Sequence, residues 1–136
     1  MIICDAEAEA LLNSILGGAA YTPAVTVYLG LLTSAPAQDG TGYAEVVGTG
    51  YARITKTNNA TNFPACTAGT RQKLNGVVIT FATAGASWGT IIGVGVFYAS
   101  SSGDCKMYAP LPSPEVINTG NVFSLAINAL KFTVLP

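Results

Sequence analysis

The chain has 136 residues, and its six Lys and Arg against seven Asp and Glu leave a formal charge of only −1. That length suits a single core, since cores are typically built from about 100 to 150 residues. Charged residues make up 10% of the sequence, against about 25% in ordinary domains. Charge near zero favours association, so the composition predicts a subunit of an assembly and not a free monomer. Histidine is absent, which removes the commonest general base and metal ligand and, with them, most hydrolase and zinc-enzyme readings.

Ala8, Leu11, Leu12, Ile15 and Leu16 fall at i, i+3, i+4, i+7 and i+8, the spacing of an apolar helical stripe. A helix is therefore predicted over 5–16, with Asp5 as its cap, Glu7 and Glu9 complementing its dipole, and Gly17-Gly18 ending it. No Lys or Arg precedes this apolar run, which is the wrong charge pattern for a secretory signal. No stretch reaches the roughly 18 apolar residues of a membrane span either. Synthesis in the cytoplasm and no membrane partner are expected, and the sequon Asn59-Ala60-Thr61 is read as a chance match.

After Pro23 the period changes to alternation, with Val25, Val27, Leu29 and Leu31 on one face of a predicted strand. Ser34 to Gly42 reads as a loop, and shorter strands are predicted at 45–47 and 51–57, on either side of the Gly48-Thr49-Gly50 turn. Further β runs follow at 77–82 and 90–98, the second returning through a polar turn at 100–104 to a strand ending at Met107-Tyr108-Ala109. Gly93 and Gly95 share a face of the 90–98 run, where the lack of a side chain admits a bulky neighbour. Phe81 and Trp88 are the expected ones. In the last predicted strand, 122–135, Phe123, Leu125 and Ile127 have one parity and Leu130, Phe132 and Val134 the other. A side chain changes face when register slips by one residue, so a β-bulge is expected near Asn128-Ala129.

Many short β runs after one helix predict an all-β fold, an antiparallel β-sandwich of jelly-roll type with an immunoglobulin-like sandwich as second choice. Residues 1–20 are assigned to an N-terminal arm carrying the short α-helix, and 21–136 to the sandwich. No repeat of 20 to 50 residues marks a propeller or β-helix.

Four phrases are more telling than any single residue: Tyr28-Leu-Gly-Leu-Leu-Thr-Ser-Ala-Pro36, Gly50-Tyr-Ala-Arg-Ile54, Ile79-Thr-Phe-Ala-Thr-Ala84 and Ser87-Trp-Gly-Thr-Ile-Ile-Gly-Val-Gly-Val-Phe97. Their order and spacing resemble a family of small tailed-phage virion proteins, described as tail-fibre-like or as head-decoration proteins. The resemblance runs from the Leu11-Leu12 helix to the last strand. It implies an all-β virion structural protein.

Arg53, Lys56, Arg71 and Lys73 supply four of the six bases, and no acid lies between Glu45 and Asp104. They are the candidate protein–protein contact residues, facing an acidic partner; the plain alternative is that they keep an exposed edge soluble. Nucleic acid is not the expected partner, because the patch is small and no recognition motif accompanies it. Trp88, which sits in the Trp-Gly phrase, and Gly93 and Gly95 are read as structural. Arg53 is expected opposite Ala52 and Ile54, resting on a Tyr face or paired with Glu45. The six tyrosines are expected as half-buried packing residues.

Cys4, Cys66 and Cys105 form no C-x-x-C pair and are odd in number, so buried free thiols are expected, with a Cys66–Cys105 bridge left open. No catalytic residue, metal site or cofactor is predicted: a Ser or Cys nucleophile needs an activating base, and phosphate-loop and dinucleotide fingerprints are missing. The leading expectation is a non-enzymatic capsid decoration, or cement, protein on the head exterior, binding the major capsid protein or neighbouring virion proteins as a homo-oligomer. The alternative is a tail, collar, baseplate or fibre-base component.

Overall fold

Alternation of apolar and small residues is most sustained in two nine-residue runs, and these form the middle of the main sheet. The computed structural model describes residues 1–134. In chain order its elements are β1 (Ile2–Ile3), α1 (Asp5–Ile15), β2 (Thr26–Ser34), β3 (Ala44–Glu45), β4 (Ile54–Thr57), β5 (Gln72–Leu74), β6 (Ile79–Thr80), β7 (Gly89–Phe97), β8 (Met107–Ile117), β9 (Ser124–Leu125) and β10 (Lys131–Thr133). The fold is all-β and antiparallel, with one short N-terminal helix. The main sheet runs β1-β8-β7-β2, and the far edge of β2 is shared, β4 pairing with Thr26–Leu29 and β3 with Leu32 and Ser34.

Opposite the main sheet lie two short ladders, β5 with β10 and β6 with β9. Val27, Leu29, Leu31, Val94, Val96 and Ile117 of the main sheet pack with Ile79, Leu125 and Phe132 of the ladders and with Phe81, Phe123 and Leu130 flanking them in one buried cluster. Ile91 joins this core despite having the opposite parity to Val94. The register of β7 on β8 breaks there: two positions separate Ile91 from Gly93, but five separate their partners Glu115 and Pro110. Proline has no N–H for the ladder, and Pro110, Pro112 and Pro114 crowd this stretch. The hairpin's second strand, expected to end at Ala109, therefore resumes pairing after the break and continues to Ile117.

The final segment is two strands, not one. Leu135, the expected end of the last strand, lies outside the described residues. Five positions separate Leu74 from Ile79, whereas six separate their partners Lys131 and Leu125, so one extra residue is accommodated between the ladders and the inward parity switches there. Asn128 takes a left-handed backbone at φ 66°, a conformation Asn tolerates better than most residues. The gap is bridged by Asn75, which is 1% exposed. Its Nδ2 donates to the carbonyls of Val77 and Ala126 at 2.8 Å each, and its Oδ1 accepts from the Leu130 N–H at 2.8 Å. Its own carbonyl accepts from the Asn128 N–H at 2.9 Å. The interrupted backbone thus keeps its partners where unsatisfied groups would cost about 1–3 kcal/mol each.

The other face of the main sheet holds a second cluster: Cys4, Leu32, Phe97, Cys105 and Tyr108, with Tyr28 and Tyr43 against it. Gly30 pairs directly with Gly95, and Leu32 with Gly93. Phe97 and Leu32 lean over Gly95, and the ring of Tyr108 covers Gly93. Phe81 and Trp88, expected at these glycines, belong to the inner core on the opposite face. Valine at position 95 would place its Cβ 2.8 Å from Phe97 Cε2 and 3.1 Å from Leu32 Cδ1. Gly95→Val is expected to destabilise the fold by about 1–3 kcal/mol through overpacking, measured as a lowered denaturant midpoint; an unchanged midpoint would show the outer face to be free to yield.

Candidate functional site

The phrase Gly50-Tyr-Ala-Arg-Ile leads from a turn into β4, and its side chains divide between the two faces. Ile54 packs against the inner core, whereas Arg53 crosses to the outer face and is 8% exposed. Its Nε and Nη2 donate to Glu45 Oε1 at 2.9 Å and Oε2 at 2.7 Å, a bidentate pair. Its Nη1 donates to the carbonyls of Ala99 and Ser102 at 2.8 and 2.9 Å. Four of the five guanidinium N–H groups are thereby used, and the guanidinium carbon lies 3.5 Å from the centre of the Phe97 ring. The expected Glu45 pairing is present, on a Phe face instead of a Tyr face.

Tyr51 completes the cluster. Its hydroxyl donates to Glu45 Oε1 at 2.6 Å and accepts from the Leu31 N–H at 2.8 Å. Burial, and then the hydrogen bond to the Glu45 carboxylate, push the Tyr51 phenol well above its ordinary range. The ring stands edge-on to Trp88, with centroids 5.4 Å apart, and Trp88 donates its Nε1–H to the Thr49 carbonyl at 3.2 Å. Trp88 is 4% exposed. One carboxylate thus holds β3, the start of β4, the middle of β2 and, through Arg53, the turn after β7.

These contacts remove Arg53 from any exposed basic patch, because its charge is neutralised and its donors are occupied inside the molecule. The other three bases are placed differently. Arg71 is exposed just before β5, while Lys56 on β4 and Lys73 on β5 are half-buried. Lys73 lines an apolar groove with Phe63, Val96, Tyr98, Met107 and Phe132. The groove is assembled from residues far apart in sequence, and no period or motif marked it.

Helix α1 is attached by its beginning. Its N-cap is Cys4, not Asp5, and no side chain caps it. The Cys4 N–H donates to the Lys106 carbonyl and the Asp5 N–H to the Gln38 carbonyl. Tyr21 donates its hydroxyl to Glu7 Oε2 at 2.9 Å. No residue of the helix is buried, so its apolar stripe does not face the core. Cys4 and Cys105 are buried free thiols, and burial pushes the Cys105 thiol up to about 12. Cys66, expected to be buried, is exposed and also free, so no Cys66–Cys105 bridge forms. Among the described residues, no group of three Cys, Asp or Glu residues stands together in a way that could hold a metal ion.

The cluster is built for rigidity. Arg53→Ala leaves the Glu45 carboxylate without its partner and uncovers the Phe97 ring, and is expected to cost about 3–5 kcal/mol in chemical denaturation, the range for breaking a buried pair. The double variant with Glu45→Ala should lose less than the two single losses added together. The raised Tyr51 pKa has its own signature. A folded-state pKa above the unfolded value stabilises the fold below about pH 10, and that stability is lost as pH rises further. While the protein stays folded, the absorbance change of phenol ionisation between about pH 9 and 11 is therefore expected to have the same amplitude in Tyr51→Phe as in the parent; a smaller amplitude in the variant would show that Tyr51 titrates normally.

No curated protein matches the chain. The family model described as Podophage GP4 fiber I protein gp80 matches residues 3–133, a span that takes in α1, the Arg53 cluster and the last described strand. The chain therefore belongs to this podophage fibre protein family, a family of phage virion structural proteins.

Proposed function

We propose that the protein is a non-enzymatic structural component of a podophage fibre or fibre base, built into the virion through contacts with neighbouring virion proteins. The observation that carries this reading is the fibre-family match over residues 3–133. It favours the fibre alternative over head decoration, the leading expectation from the sequence phrases. The geometry agrees with a structural part. The most strongly polar cluster, Arg53 with Glu45 and Tyr51, has its groups paired with one another and with backbone, and so presents no free base or nucleophile. The family match takes in the N-terminal arm as well as the sandwich, and both are assigned to the same structural role.

Copy number and position separate the two readings. In purified particles, quantitative gel staining is expected to show far fewer copies of this protein than of the major capsid protein, and antibody-gold label is expected on fibres. Copies rivalling the major capsid protein, with label spread over the head, would overturn the fibre assignment in favour of decoration.

A further inference from the structure

Two surfaces of opposite character lie on this chain without a partner among the described residues. The first is the far end of α1. Leu12, Ile15 and Leu16 are 59%, 74% and 78% exposed, and their i, i+3, i+4 spacing forms one stripe. Glu9 stands one turn before Leu12, on the same side of the helix. All the charged side chains of α1 are acidic, Asp5, Glu7 and Glu9, and the chain has no Lys or Arg before Arg53.

The second surface is the groove above Lys73. Its volume is about 190 Å³, its walls include Val27, Phe63, Val96 and Phe132, and no Asp or Glu lines it. Bases surround it. Lys56 is the register partner of Val27 and so stands on the same face of the sheet. The ammonium of Lys106 lies 5.6 Å from the ring centre of Tyr98, another wall residue. Small-molecule sites usually enclose about 300–1,000 Å³; this groove is smaller and suits a few apolar side chains. A stripe of helix anchors laid in an apolar groove is an established mode of recognition.

We propose that the end of α1 from one copy docks in this groove of a second copy, with Leu12, Ile15 and Leu16 on its apolar walls and Glu9 toward Lys73 and Lys56. The charge pattern selects the occupant: the same chain carries an apolar stripe with an acid, Glu9, beside it and an apolar groove with three bases around it against one acid, Glu7, already held by Tyr21. The start of α1 is pinned to its own body through Cys4, Asp5 and Glu7, which leaves the far end to a neighbour. Donor and acceptor are different surfaces, so the contact is head-to-tail and the joined pair keeps one donor and one acceptor free; such contacts close into rings or continue as filaments. The inference rests on the structural reading for its setting. It is tested on purified protein alone, so its failure and a wrong place in the particle are told apart.

The full-length protein is examined by sedimentation at rising concentration, with two sets of variants shown to be folded by circular dichroism. Leu12→Ser with Ile15→Ser and Leu16→Ser removes the donor and keeps the groove; Lys56→Glu with Lys73→Glu removes the acceptor and keeps the helix. The parent is expected to self-associate and to do so less at high salt, and each variant alone at least about tenfold more weakly, a loss of at least about 1.4 kcal/mol in the contact. An equimolar mixture of the two variants is expected to form a 1:1 complex that grows no further, because only one donor and one acceptor remain. A groove disturbed only in its packing is separated by a third protein, Glu9→Lys, which should join the acceptor variant more tightly than the parent helix does. A parent that stays monomeric up to about 1 mM, single variants that associate like the parent, or a mixture that stays monomeric would each overturn the proposal.

Discussion

Gly30 and Gly95 face one another in the middle of the main sheet, and the space they leave is the constraint on which the outer face depends. The Phe97 ring lies closely over both glycines, with Leu32 beside it at Gly95 and Glu45 Oε1 beside it at Gly30. The ring in turn gives Arg53 a floor. Arg53 would be expensive to bury as a lone charge, but here it meets the Glu45 carboxylate and two backbone carbonyls. Glu45 belongs to a strand of two residues, too short to hold its place by ladder bonds alone. The glycines admit the ring, the ring supports the arginine, and the arginine holds β3 beside β4 along a single edge of β2.

The parts of this arrangement legible in the sequence were those written in period. Alternation identified β2 and β7, and the Gly93-Val-Gly95 spacing showed that something bulky would approach them. Which ring arrived was not legible, because Phe81, Phe97, Trp88 and Tyr108 are all plausible neighbours until the sheet pairing decides which face each occupies. Strand alternation likewise put Arg53 opposite Ile54, but says nothing about what covers that side. Its place in a run of bases suggested a surface. The Glu45 acid, already an expected partner, comes from β3, and the Ala99 and Ser102 carbonyls come from the turn after β7.

Local spacing left two matters open. The stripe of α1 was recognised as a stripe, but amphipathic spacing reports that a side is apolar and not whether a partner in the same chain covers it. The parity change after Ile127 pointed to a bulge, and an extra residue is indeed present between the ladders. The sequence alone did not show that pairing would lapse on both sides of it, nor that Asn75, more than fifty residues earlier, would supply the missing hydrogen bonds. A buried asparagine between two short strands has no periodic signature; the Asn75-Gly76 pair is the local hint, and it reads as a turn.

Internal pairing of Arg53 with Glu45 leaves even fewer charges to keep copies of this chain apart. The sheet edges set a limit on how those copies can meet. β1 covers the first part of β8, and β3 and β4 share the far side of β2, so much of the edge backbone is already paired. Along the rest of β8, Pro110, Pro112 and Pro114 provide three positions with no N–H to donate. Short covering strands and prolines are how sheets discourage pairing edge to edge. A low-charge protein with guarded edges can assemble without growing as an open sheet, and the contacts between copies then fall to side-chain surfaces, where shape and charge set the geometry.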